Sequence, residues 1–258
     1  MSLCPMSFCL LAAADGAGVS MDFLQAQAGG TLLQTLTLYL FFAGTVAMGA
    51  GALYFFLLRD DVDPEYRSTM VVAGLICAIA CFHYFKMTGV YQSGQGFPTA
   101  LRYVDWLFTT PLLLLKFPLL LRMGDRGAKF FWQLVILDVA MIVTAFIAET
   151  SAVDSQRWWT FFLVSCGFEL LIVGVLFVSL GQAIAEAPAP LAKALGIMRL
   201  FVLIGWAIYP IGFLMARAGA GEFREIIYNV ADVINKVGFG LVAYHGIKAM
   251  SHRGRSAG

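Results

Sequence analysis

Seven apolar runs, each long enough to cross a bilayer, dominate this chain. They lie at about residues 31–58, 66–91, 99–121, 128–148, 157–182, 195–217 and 224–249. A transmembrane helix needs about 20 predominantly apolar residues, and every run meets that length. Only 13% of the residues are charged, about half the share that is usual in soluble domains. The sequence therefore predicts an all-α membrane protein, a seven-transmembrane-helix bundle in the lipid bilayer.

The segments outside the runs are short. Residues 1–30 are either a cleaved signal segment or a flexible extracellular leader, residues 31–250 form the seven-helix domain, and residues 251–258 form a tail. The net charge of +1 gives no reason to expect a nucleic-acid partner.

Basic residues concentrate in alternate connections between the runs. Those on one side are Arg122, Arg126, Lys129, Lys193, Lys248, Arg253 and Arg255. Because positively charged connections stay in the cytoplasm, the pattern predicts a multi-pass protein of the cell membrane. Its N-terminus would be outside and its C-terminus cytoplasmic.

Two ionisable residues share one face of the seventh run. Asp232 and Lys236 are four residues apart, so a helix places them side by side. One interpretation is an ion pair within the helix that neutralises both charges. The other is a lysine that forms a Schiff base with an aldehyde ligand. Ionisable residues inside a membrane span are costly and mark function by default.

The third run carries polar residues along one stripe. Arg102, Asp105, Thr109 and Lys116 are spaced by three, four and seven residues, which keeps them on one helical face. From Asp105 to Lys116 the stripe rises about 16 Å. Titratable groups at several depths are what a proton relay requires.

Three motifs resemble one known family. RYVDWLFTTPLLLL at residues 102–115 resembles the third helix of bacteriorhodopsin and the proteorhodopsins. DVINKVGFGL at residues 232–241 resembles their seventh helix, and WAIYP at residues 206–210 resembles their sixth. The chain is identified by this resemblance as a microbial (type 1) rhodopsin, similar to the proteorhodopsin and xanthorhodopsin pumps. The resemblance implies all-trans retinal, bound covalently to Lys236 as a Schiff base.

The resemblance also implies roles for the polar residues. Asp105 would be the proton acceptor and counterion, and Asp232 the second counterion. Arg102 would organise the outer side, and Thr109 would form a hydrogen bond near Asp105. His83 would pair with Asp105, although a satisfied core histidine is the alternative interpretation.

Further residues would line the chromophore by the same resemblance. They are Trp106, Trp206, Tyr209, Tyr84, Leu113 and Pro210. Leucine at position 113 implies absorption of green light, and Asp138 matches an aspartate of the fourth helix that is mainly structural.

The sequence departs from the usual family pattern at three places. Lys116 occupies the proton-donor place, where a carboxylate is usual, and resembles the Exiguobacterium-type branch; its alternative is a lysine that snorkels to the interface. Glu169 has no inherited role: it could tune colour, face an oligomer contact or sit protonated in the core, and it argues against binding of a carotenoid antenna. Arg224, with Glu225 beside it, stands near a release carboxylate of bacteriorhodopsin, which implies late proton release.

The function implied by the resemblance is a light-driven outward proton pump, an ion transporter and not an enzyme. The alternative is a sensory rhodopsin that signals through a separate partner protein, and a light-gated channel ranks below both. A homo-oligomer, either trimer or pentamer, is the expected assembly.

Overall fold

All seven apolar runs form helices in the computed structural model, which describes residues 30–256 and the side chains of residues 30–250. The helices are α1 Leu32–Leu58, α2 Arg67–Gln92, α3 Thr99–Leu120, α4 Gly124–Glu149, α5 Gln156–Val178, α6 Ala189–Arg217 and α7 Gly221–Met250. The backbone of α7 stays helical to Ser256, through most of the predicted tail. The predicted leader lies outside the described residues, apart from its last residue.

Local sequence signals set several helix ends. Thr31 caps α1 in a capping box with Gln34, so that each side chain accepts a hydrogen bond from the other residue's backbone N–H. The Ser155 side chain caps α5 by accepting a hydrogen bond from the Trp158 backbone N–H. Between α2 and α3, Gly94 and Gly96 adopt φ values of 73° and 94°, which glycine reaches without steric cost.

Three predicted boundaries differ from the observed ones by four residues or more. α4 begins four residues before the predicted start, and α6 begins six residues before it. α5 ends at Val178 and is followed by a short helix, Gly181–Glu186. Hydropathy detects only the part of a helix that crosses the hydrocarbon, whereas helix ends continue into the interface where water satisfies polar groups.

The polarity of the bundle is inverted relative to a soluble protein. Successive helices pack side by side, and α7 closes the bundle against α1 and α6; the seam between α5 and α6 is less closely packed. Large apolar side chains face outward, with Val178 81% exposed and Leu32 73% exposed. Asp105, Lys116 and Asp232 are fully buried. An apolar exterior around buried charges fits a bundle surrounded by lipid.

Two wide turns interrupt the regular hydrogen bonding near the middle of the bundle. Residues Phe201–Gly205 of α6 and Ile234–Gly238 of α7 form π-helical turns. The freed Gly205 carbonyl accepts a hydrogen bond of 3.1 Å from the Asn235 side-chain amide. Such turns occur mainly at functional sites, and Lys236 lies within the second one.

Candidate functional site

Lys236 lies between two carboxylates in the interior of the bundle. Its Nζ atom is 2.9 Å from Asp105 Oδ2 and 3.1 Å from Asp232 Oδ2. Lys236 is 2% exposed and both aspartates are fully buried. The Lys236 amine therefore contacts one carboxylate on its own helix, Asp232 of α7, and one on another helix, Asp105 of α3.

Asp232 is held by several hydrogen-bond donors. Its carboxylate accepts hydrogen bonds from Tyr84 at 2.8 Å, Tyr209 at 2.5 Å and Trp106 at 3.3 Å. Arg102 adds a longer contact of 3.5 Å. With its lone pairs occupied in this way, Asp232 could accept a proton only by giving up some of these bonds.

Asp105 has far fewer partners. Within the described part of the chain, neither carboxylate oxygen accepts a hydrogen bond apart from the contacts with Lys236 and His83. His83 Nδ1 is 3.5 Å from Asp105 Oδ1 and only 2.9 Å from the Ile79 carbonyl oxygen. Thr109 donates to the backbone carbonyl of Asp105, not to its carboxylate. Asp105 therefore retains free acceptor positions beside the amine.

Arg102 connects this centre to an ion-pair cluster at the end of the bundle where α7 begins. Its Nη2 atom donates to Glu225 Oε2 at 2.7 Å and to Asn229 Oδ1 at 2.8 Å. Arg224 contacts the other Glu225 oxygen at 3.0 Å and Glu149 at 2.7 Å. Two guanidinium groups and two carboxylates thus extend from the Asp232 carboxylate towards the surface.

A cavity lined in part by Lys236 lies between α3, α4, α5, α6 and α7. Its walls are mainly apolar and aromatic, formed by Tyr103, Trp106, Thr110, Leu113, Met141, Ile142, Ala145, Phe162, Ser165, Cys166, Glu169, Trp206, Tyr209, Pro210, Phe213, Tyr228, Asn235 and Lys236. A lysine in the wall of an apolar cavity suits a long hydrophobic aldehyde, because the amine can bond the aldehyde carbon. The residues present therefore fit retinal.

Lys116 occupies a separate buried position on α3. It is fully buried, and its Nζ atom forms no hydrogen bond with any described residue. The nearest ring contact is Phe239 of α7, whose centroid is 5.0 Å away. The snorkelling alternative predicts an exposed amine, whereas the Lys116 amine is enclosed by the bundle.

The structure brings most of the predicted residues together. Five of the six residues expected to line the chromophore line the cavity; Tyr84 does not and contacts Asp232 instead. Asp138 accepts a hydrogen bond of 2.8 Å from Thr110 of α3, the contact between the third and fourth helices that a structural role requires.

Sequence reasoning missed the partners of Arg102 and most of the far wall of the cavity. Glu225, Asn229, Asp232 and Lys236 are spaced by four, three and four residues, so their common face on α7 was detectable. Residues of the far wall such as Phe162 have no comparable signal, because apolar side chains on α5 look the same whether they face lipid or the cavity.

Fold and site together define the class: a seven-span membrane protein with a buried lysine, two acidic partners and an apolar cavity. The sequence profile of the bacteriorhodopsin-like protein family matches residues 35–250. The chain belongs to that family, which confirms the prediction of a microbial rhodopsin in the cell membrane, and family membership implies a retinal chromophore.

Individual relatives agree with this assignment. The green-light absorbing proteorhodopsin of Gamma-proteobacterium EBAC31A08 is 32% identical over 211 residues, 80% of this chain and 84% of the relative. The crystal structure of Exiguobacterium sibiricum rhodopsin is 45% identical, with a TM-score of 0.77 over 84% of this chain and 97% of that one. Xanthorhodopsin, described as a light-driven ion pump with dual chromophore, is 29% identical, with a TM-score of 0.79 over 86% and 95%.

Proposed function

We propose that this protein is a light-driven outward proton pump that carries all-trans retinal on Lys236 through a Schiff base. The observation that carries the proposal is the 2.9 Å contact between the buried Asp105 carboxylate and Nζ of Lys236, which lines the apolar cavity. Retinal, when bound, would supply absorption of visible light and a light-triggered change of shape.

Asp105 is the proton acceptor in this proposal, and Asp232 remains a permanent counter-charge. The difference rests on their partners, since Asp232 is engaged by three hydroxyl or N–H donors and a guanidinium while Asp105 has free acceptor positions. His83 lies close enough to orient Asp105, and Thr109 fixes the backbone beneath it.

Direction follows from the order of residues along α3. Arg102 and its ion-pair cluster lie on one side of Asp105, and Lys116 lies on the other, about 16 Å along the helix. With the basic connections in the cytoplasm, the Arg102 side is external and Lys116 faces the cytoplasm. Lys116 is then placed to pass a proton from the cytoplasmic side towards Lys236 after Asp105 has accepted one.

Illumination of unbuffered cells that express the protein tests the proposal. We expect the medium to acidify in the light, and a protonophore to abolish the change. Asp105→Asn should abolish the acidification because it removes the acceptor carboxylate, whereas Asp125→Asn, at the exposed start of α4, should leave it intact.

Other results would contradict pumping. Coloured cells that show no acidification and recover from light over seconds would favour the sensory alternative. Light-driven alkalinisation, or current that follows the electrochemical gradient in either direction, would also exclude an outward pump.

A further inference from the structure

Glu169 is a carboxyl group in the cavity that the proposed proton path does not use. It lies in the middle of α5, is half-buried, and lines the cavity beside Cys166. Among the residues that the structure describes, its carboxylate has no hydrogen bond and no ion pair. A carboxyl group within a membrane span is expensive and by default functional.

Glu169 and Lys236 belong to opposite walls of the cavity. α5 packs against α4 and, less closely, α6, whereas α7 packs against α6 and α1. The cavity lining includes Asn235 and Lys236 on α7 and, on the other helices, residues of α4 and α5 that include Glu169. A long ligand attached to Lys236 would therefore extend towards Glu169 with its far end.

The charged groups around Glu169 do not compensate its charge. On α5 the nearest titratable group is the Cys166 thiol. On α4, Asp138 is turned towards Thr110 of α3. Neither group supplies a positive charge to the Glu169 carboxylate.

The same holds for α6, the other helix beside it. Tyr209 lines the cavity but donates its hydroxyl to Asp232. Arg199 lies over the ring of Phe177, 4.7 Å from its centroid, which is about two turns further along α5 than Glu169. The field of an ionised Glu169 would therefore act on the ligand without a nearby cation to cancel it.

The effect of an ionised carboxylate on the absorption maximum depends on where the carboxylate lies along the ligand. In a conjugated cation attached to Lys236, absorption of light moves positive charge away from the nitrogen and towards the far end. A carboxylate near the nitrogen stabilises the ground state by Coulomb attraction, whereas one near the far end stabilises the excited state. Asp105 and Glu169 would then shift the absorption maximum in opposite directions on ionisation.

We propose that Glu169 is a second colour-determining residue, and that its ionisation moves the absorption maximum to longer wavelength. This proposal rests on the proposed attachment of retinal to Lys236. It does not depend on proton export, because colour is measured in the resting protein.

Spectra of the purified retinal-loaded protein across pH test it. Ionisation of Asp105 on raising the pH should move the maximum to shorter wavelength. A second transition should move it to longer wavelength. Glu169→Gln should remove only the second transition, and Glu169→Asp, which keeps the charge, should retain it. Glu186→Gln, a substitution in the exposed short helix after α5, is the matched control and should retain both.

Infrared difference spectra across the second transition provide a readout that does not depend on colour. They should show loss of a protonated carboxyl band that is absent from Glu169→Gln. If Glu169→Gln and the unchanged protein have the same spectrum at every pH, or if the transition is to shorter wavelength, the proposal is overturned. A colourless preparation would overturn the proposed function together with it.

Discussion

Replacement of Lys116 with methionine should stabilise the protein and slow its recovery after a flash of light. The Lys116 amine is fully buried and has no hydrogen-bond partner among the described residues. Burial of an unpaired polar group costs about 1–3 kcal/mol in proteins. Methionine has nearly the same length and no amine, so it fills the same space without that cost.

The expected gain in the free energy of unfolding is therefore about 1–3 kcal/mol. In a chain of this size each kcal/mol raises Tm by roughly 2–4 °C. If the amine is charged, its contact with the Phe239 ring, 5.0 Å away, contributes about 1–2 kcal/mol, but burial of an unpaired charge costs several kcal/mol, more than burial of a neutral amine. The net effect should still be an increase in Tm.

Recovery after the flash should become slower, because Lys116→Met has no titratable group at this depth. A proton that returns from the cytoplasm must then cross an apolar segment, and a rise of about 1.4 kcal/mol in the barrier slows the step tenfold. We expect the recovery measured by flash photolysis to slow by at least about tenfold.

Lys86→Met is the matched control. Lys86 is an exposed lysine on α2 that also lies near a phenylalanine ring, 5.9 Å from the centroid of Phe82. It should change neither Tm nor recovery appreciably. A Lys116→Met protein that recovers as fast as the unchanged one, or that melts at lower temperature, would refute the reasoning.

Two further predictions concern stability. Arg102→Gln should destabilise the protein by about 3–5 kcal/mol, because it leaves Glu225 buried beside one guanidinium only. The control Arg217→Gln removes an exposed ion pair and should cost at most about 1 kcal/mol. Equal shifts of the two variants in thermal melting would contradict this prediction. Thr110→Val should cost about 1–3 kcal/mol in denaturant unfolding, since the buried Asp138 carboxyl loses the hydroxyl that donates to it, and an unchanged midpoint would show that this bond contributes little.

Much of the fold was predictable because the membrane imposes simple rules on sequence. Each helix had to appear as an apolar run, and residues such as Asp105 and Lys236 stood out because charge inside such a run is rare. The helical period then placed Asp105 on the same stripe as Arg102 and Lys116. The predicted bundle is confirmed for these physical reasons.

The contacts between helices were not predictable in the same way. Periodicity gives the face of a residue on its own helix but not its partner on another, so the different environments of Asp105 and Asp232 emerged only from the structure. The wide turn around Lys236 also left no recognisable signal, because the residues of Ile234–Gly238 occur equally in regular transmembrane helices.

The far wall of the cavity shows the same limit. Sequence reasoning noted Glu169 as anomalous without assigning it one place, since a mid-span carboxyl on α5 could tune colour, face an oligomer contact or sit protonated in the core. The structure places it on the cavity wall, where its charge can act on a bound ligand.

The attachment point can be measured directly. After all-trans retinal is added to the purified protein and the product is reduced with borohydride, mass spectrometry should find the retinyl group on the peptide that contains Lys236. Lys236→Ala should stay colourless. Retinyl on any other lysine, or visible colour in Lys236→Ala, would contradict the account at its centre.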